Sequence, residues 1–224
     1  GPRPDPDFRV FRRVGGHGCR RGVLGDMARR FGHYPCNVDQ QSAENMSRVL
    51  ITGASGLVGR AVAAVLAKGG AELILTDLQP YDGLPENAVF ERLDVTGSDA
   101  DIVIGRLKPD VVIHLASIVT PPKGSTREFE YRVDVTGSEN VLQACIDHGV
   151  QRLVVTSSGA AYGYHPRNRA FLQEDAPLMG NEAFAYAHHK RLVEERLQQA
   201  RTEHPQLEQV IKCNRELSVL RNSG

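Results

Sequence analysis

The segment Thr52-Gly53-Ala54-Ser55-Gly56-Leu57-Val58-Gly59 spaces three glycines between an apolar run, Val49-Leu50-Ile51, and a stretch with helical spacing. A strand that enters a glycine-rich turn and continues as a helix offers free backbone N–H groups and a positive helix end to a pyrophosphate. Gly53 then permits the tight bend, Gly56 lets the backbone approach the phosphates, and Gly59 allows close helix packing, with Ser55, Leu57 and Val58 completing the turn. Such a turn can also merely join two elements. Asp77 argues for more, because it falls 18 residues past Gly59, at the end of the next apolar run. A carboxylate there can accept hydrogen bonds from the adenosine ribose hydroxyls. It would also repel a 2′-phosphate, and Leu78-Gln79-Pro80-Tyr81 contains no arginine or lysine to welcome one. The cofactor expected is NAD rather than NADP; the competing reading makes Asp77 a solvated turn residue.

These groups need a scaffold. Val49-Leu50-Ile51, Leu73-Ile74-Leu75, Val89-Phe90, Val111-Val112-Ile113 and Leu153-Val154-Val155 are short apolar runs, and all but the third have the character of buried parallel strands. Helical spacing falls between most of them, over Gly59 to Lys68, Ala100 to Leu107 and Gly137 to His148. The alternation predicts an α/β fold, a doubly wound parallel Rossmann sheet with helices on both faces. A long helix is expected from about Ala183 to Ala200, where Leu192, Val193 and Leu197 form a stripe amid charges, and a sixth strand over Leu207 to Cys213.

The expected organisation is an irregular extension over residues 1–46, a dinucleotide-binding domain over 47–213 and an irregular tail over 214–224. The extension carries eight arginines and no lysine among its first 45 residues, with no sustained period. Asp5, Asp7, Asp26, Asp39 and Glu44 argue against reading it as an acid-poor targeting segment, and Met46 is a candidate native start. His17, Cys19, His33 and Cys36 match no standard zinc-ligand spacing, so no metal is expected. Acidic and basic residues balance at 27 each. No overall field draws the chain to nucleic acid or an anionic membrane surface. With no apolar run long enough to span a bilayer and four scattered cysteines read as reduced thiols, a cytoplasmic protein acting on a small molecule is expected.

The TGxxGxxG turn resembles that of the extended short-chain dehydrogenase/reductases, the group of NAD-dependent epimerases and dehydratases of sugar nucleotides. Asp94-Val95 resembles the family's adenine-contacting pair, and His114-Leu115-Ala116-Ser117 the end of its fourth strand beside the cofactor. Thr156-Ser157-Ser158-Gly159-Ala160-Ala161-Tyr162-Gly163 resembles its serine segment, and Tyr186-Ala187-His188-His189-Lys190 its YxxxK motif. The resemblance runs from about Arg48 to Ile211. It implies a catalytic set of Ser158, Tyr186 and Lys190, with Ser157 as the competing serine. Tyr186 and Lys190, four apart on a helix, share a face, so the ammonium can lower the phenol's pKa and hold the nicotinamide ribose. A surface pair and a strand-ending serine are the bland alternatives. His188 and His189, in the variable positions between Tyr and Lys, are expected to face solvent, and His114 to pack at a strand end.

One departure from the family's NVxGTxN segment stands out. This chain reads Asp134-Val135-Thr136-Gly137-Ser138-Glu139-Asn140, and an aspartate there would lose an amide donor and add charge. The reaction the resemblance implies is hydride exchange at a secondary alcohol. Dehydratases and decarboxylases of the family place acids after the catalytic Ser or Thr, whereas this chain has Gly159 and Ala160. Epimerisation of a nucleotide sugar is the expected activity, with a dehydrogenase of another secondary alcohol, or a non-catalytic NAD-binding protein, as alternatives. The C-terminal portion that builds the family's substrate pocket is expected to be missing, and a homodimer through the helices at 137–148 and 183–200 is expected by analogy.

Overall fold

A computed structural model describes residues 47–214, apart from residue 167 and residues 169–171 and 173–175. The expected extension, with its His and Cys residues, and all of the expected tail except Asn214 lie outside the described residues. Six strands, β1 (Arg48–Thr52), β2 (Glu72–Asp77), β3 (Ala88–Arg92), β4 (Val111–His114), β5 (Arg152–Ser158) and β6 (Glu208–Asn214), form one sheet in the order β3-β2-β1-β4-β5-β6. Every pairing is parallel. This is the doubly wound order, whose switch point opens a crevice beyond the carboxyl ends of β1 and β4.

Both faces of the central strands are buried, which is why they read as continuous apolar runs. Val49, Ile51, Leu73 and Leu75 face α1 (Leu57–Lys68) and pack with Ala54 and Ala63. Their neighbours Leu50, Ile74, Val112 and Leu153 point the other way. They meet Ile104 of α2 (Asp99–Leu107), Val141 of α4 (Gly137–Asp147), and Val193 and Leu197 of α5 (Ala185–Glu203). The period-2 alternation thus supplies two cores, and each fully buried Leu or Ile contributes roughly 1.5–3 kcal/mol before entropy is counted. Cys145, within the second core, is a free thiol that burial pushes up to about 12.

The strands and the four longer helices fall where the periodicity places them. An unexpected feature is a helix before α4. Thr126 caps α3 (Arg127–Tyr131) by accepting from the Phe129 N–H at 3.2 Å, and α3 runs into α4 through a π-turn at Arg132–Thr136. A π-turn inserts an extra residue, interrupts the 3.6-residue period and recurs at functional sites. Gly137 ends it where a Cβ would lie 2.6 Å from Val95 Cγ2, so glycine lets the helix close on β3's exit. The outward faces of α4 and α5 are polar, with Arg196 of α5 reaching Glu139 of α4 at 3.1 Å. Among the described residues, no helix is long and apolar enough to cross a membrane.

Candidate active site

A groove of about 660 Å³ lies at the switch point, lined by Thr52, Gly53, Gly56, Asp77, Leu78, Leu93, Asp94, Val95, Leu115, Ala116, Ser117 and Val133. Eight of the residues expected to hold the cofactor therefore share one wall: Gly53, Gly56, Asp77, Asp94, Val95, Leu115, Ala116 and Ser117. Ser55 belongs to the turn itself, and Leu57, Val58 and Gly59 form the first turn of α1 that follows it.

Two glycines of that turn are sterically required. Gly53 has φ +66°, and a Cβ on it would stand 2.7 Å from the Ala116 nitrogen on the neighbouring strand's exit. A Cβ on Gly59 would lie 2.3 Å from the Gly53 carbonyl oxygen, so the helix packs against the turn itself. Gly56 is the N-cap of α1; it brings no side-chain acceptor, and the first turn of the helix carries no acid. The leading N–H groups are thus left for an anion from outside, which is what a pyrophosphate needs.

Asp77 braces the same turn. Its Oδ2 accepts from the Ser55 N–H at 3.0 Å and its Oδ1 from the Gln79 N–H at 3.1 Å. Leu78-Gln79-Pro80-Tyr81, which follows Asp77 in the chain, holds no cation, and the fold brings one from upstream. The guanidinium of Arg60 on α1 donates to the Ser55 carbonyl at 2.9 Å and the Asp82 carbonyl at 3.2 Å, and lies 4.8 Å from the centroid of the Tyr81 ring. Asp94 turns its side chain to its own loop, accepting from the Thr96 N–H at 2.9 Å and its hydroxyl at 2.7 Å.

At the far end of β5 the two serines part. Ser157 donates to Glu194 of α5, both of them buried. Ser158 faces the other way and caps the 3₁₀ turn Gly159–Tyr162, accepting from the Ala160 N–H at 3.2 Å. On α5 the Lys190 ammonium donates to the Thr156 carbonyl at 3.1 Å and sits 5.6 Å from the centroid of the Tyr186 ring, so Tyr186 and Lys190 share a face as their spacing predicts.

Residues 49–212 match the family model described as the NAD dependent epimerase/dehydratase family. The chain belongs to this family. Its cofactor is NAD, and the open N-cap of α1, the two steric glycines and Asp77 on the groove wall fit that dinucleotide. Among its relatives, a 3 beta-hydroxysteroid dehydrogenase/Delta 5-->4-isomerase of Mycobacterium tuberculosis is 34% identical, over 60% of this chain and 36% of its own length. A UDP-glucose 4-epimerase of Mycolicibacterium smegmatis is 32% identical, over 62% of this chain and 47% of its own. The solved Thermus thermophilus UDP-glucose 4-epimerase in complex with NAD superposes with a TM-score of 0.63 at 26% identity, over 73% of this chain and 53% of that one. The chain spans between about a third and about half of the length of these proteins.

Two expectations about this family member need correction. His189 does not face solvent: it is 4% exposed, and its Nδ1 donates to Asp134 Oδ2 at 3.1 Å. His188 is half-buried, which lowers its pKa. Nor does Asp134 disrupt its surroundings. It is 3% exposed at the centre of the π-turn, and its Oδ1 accepts from the Ser117 hydroxyl at 2.9 Å and the Ile118 N–H at 2.8 Å. The lost amide donor is not missed, because every group facing this carboxylate is a donor.

His114 does stand at the end of its strand, as part of a buried polar chain. Thr52 Oγ1 accepts from the Leu115 and Ala116 N–H groups, and its own proton goes to His114 Nδ1 at 2.8 Å. His114 Nε2 donates to Ser138 Oγ at 3.0 Å, which donates to the Asp134 carbonyl at 2.6 Å. Burial, reinforced by Lys190 and opposed by Asp134, pushes this imidazole down to about 3. It is a neutral brace rather than a proton carrier. Glu194 has its carboxyl raised, chiefly by burial and against the Ser157 hydrogen bond. Glu194 lies outside the motifs and gives no signal in the sequence, whereas His114 opens the fourth-strand segment but signals only packing, not its hydrogen-bond partners. Among the described residues no cluster of His, Cys, Asp and Glu could hold a metal ion.

Proposed function

We propose that this chain is the NAD-binding part of a nucleotide-sugar epimerase working through Ser158, Tyr186 and Lys190. The observation that carries the reading is the division of labour at the end of β5: Ser157 is committed to Glu194, while Ser158 lies on the opposite face of the strand, and Tyr186 and Lys190 share one face of α5. The Gly53–Gly59 turn and Asp77 would hold NAD, which when bound would supply a reversible hydride acceptor. Tyr186 withdraws the hydroxyl proton, with the Lys190 ammonium favouring the phenolate. Ser158 donates to the substrate oxygen as it gains carbonyl character. The absence of an acid at Gly159 and Ala160 leaves elimination without a proton shuttle, which favours epimerisation over dehydration. We infer cytoplasmic placement, which a fluorescent fusion tests, and a homodimer through α4 and α5, whose polar outward faces make light scattering the deciding measurement.

The test is spectroscopic. Adding UDP-glucose or UDP-galactose to the NAD-loaded protein should raise the near-ultraviolet absorbance of reduced nicotinamide transiently, with no net accumulation over many turnovers. The reading is falsified if neither sugar nucleotide reduces any bound cofactor. The relationship to a 3 beta-hydroxysteroid dehydrogenase supports a second reading, oxidation of another secondary alcohol. Stoichiometric accumulation of NADH with such an alcohol would select it.

A further inference from the structure

One carboxylate joins three parts of the site that arise far apart in the chain. Asp134 sits in the π-turn, Ser117 on the groove wall and Ile118 beside it follow β4, and His189 lies on α5 between Tyr186 and Lys190. A carboxylate has no proton of its own to share here, so the His189 proton must be on Nδ1. The imidazole is held on a second side by the Tyr131 ring, edge to face at 5.6 Å and 84°. Two buried polar side chains that satisfy each other are expensive to separate, since either alone would be left unpaired in the interior.

We propose that Asp134 and His189 form a positioning pair that locks α5 to the π-turn and to the exit of β4, and thereby sets where Tyr186 and Lys190 stand relative to the cofactor groove. The proposal rests on the assignment of Tyr186 and Lys190 made above. Asp134 stands at the centre of the π-turn, from where its carboxylate reaches both the β4 exit and α5. Neither residue touches the reacting atoms; both act through α5, the helix that carries Tyr186 and Lys190.

Asp134→Asn tests the pair by rescue. The asparagine oxygen still accepts from Ser117 and Ile118, while its amide now donates to His189, which must move its proton to Nε2. Long-range proton–nitrogen NMR should therefore show Nδ1–H at His189 in the natural chain and Nε2–H in Asp134→Asn, with NAD affinity by calorimetry within about twofold. Asp134→Leu and His189→Leu should each weaken NAD about tenfold, as expected for a modest coupling free energy. A core control, Val103→Ala, should lower the melting temperature without changing that affinity. If the leucine variants do not fold, His189→Gln, which keeps a donor, should bind NAD nearly as the natural chain does. An unchanged tautomer in Asp134→Asn overturns the pair, as does NAD affinity that survives in the leucine variants or falls equally in Val103→Ala. Failure of sugar nucleotides to reduce bound NAD would defeat the epimerase reading and leave these binding and NMR readouts intact.

Discussion

The Ser157 hydroxyl donates to the carboxylate of Glu194, one helical turn beyond Lys190, so the adjacent serines that close β5 do different work. Removing each should have different consequences. Ser158→Ala should lower kcat by about a hundredfold or more while NAD affinity holds, the signature of a lost donor to the reacting oxygen. Ser157→Ala should cost about 1–3 kcal/mol of stability by leaving a buried carboxylate short of a partner. Steady-state kinetics and chemical denaturation separate the two, and a reversed pattern would move the catalytic assignment to Ser157.

Much of this is legible in the amino-acid sequence. The central strands declared themselves because both of their faces are buried, and the turn because Gly53 and Gly59 meet backbone at distances no side chain tolerates. Tyr186 and Lys190 could be paired because helical spacing is local. What stayed hidden depends on contacts across the sheet. Arg60 reaches the Asp82 carbonyl from 22 residues upstream, and His189 finds Asp134 across 55 residues. α3 escaped because its short, acidic sequence Arg-Glu-Phe-Glu-Tyr buries no residue, and the π-turn because its extra residue breaks the period by which helices are read.

Gly59→Ala should abolish NAD binding and destabilise the fold by at least about 2 kcal/mol, because the 2.3 Å approach to the Gly53 carbonyl involves backbone on both sides and cannot be relieved by a rotamer change. Gly97→Ala is the matched control, since nothing lies within 4 Å of a Cβ there. Thermal melts with and without NAD should show a ligand-induced rise for the control and none for Gly59→Ala. A rise in both would mean that the turn relaxes around the methyl group.

Acid should weaken this fold through His114 and spare it through Glu194. The folded chain holds His114 near 3 against an ordinary value of 6.5. Above pH 6.5 neither state binds the proton; below it the unfolded chain does and the folded chain does not, so stability falls by up to about 1.4 kcal/mol per pH unit. Glu194 has the opposite sign. Its carboxyl is raised above 4.5, so the folded chain takes up a proton first and gains stability as pH falls through the folded value. Denaturation midpoints followed downward from pH 6.5 should fall less steeply in His114→Gln and more steeply in Glu194→Gln; parallel profiles for all three proteins would contradict both assignments.

Cofactor choice should turn on the charge of Asp77 and the position of Arg60. Asp77→Asn keeps an oxygen for the Ser55 or Gln79 N–H and loses the charge that repels a 2′-phosphate. NADP affinity should rise about tenfold, the scale of one charge–charge attraction between Arg60 and the 2′-phosphate at a partly exposed site, while NAD affinity falls only a few-fold. Once the aspartate charge is gone, Arg60 is the cation the fold already holds over this loop, 4.8 Å from the Tyr81 ring centroid. Adding Arg60→Ala to Asp77→Asn should therefore erase the NADP gain. Calorimetric titration of both cofactors decides it: a gain that persists without Arg60 would show that relief of repulsion alone sets the preference, with the guanidinium merely stapling the Asp82 loop to α1.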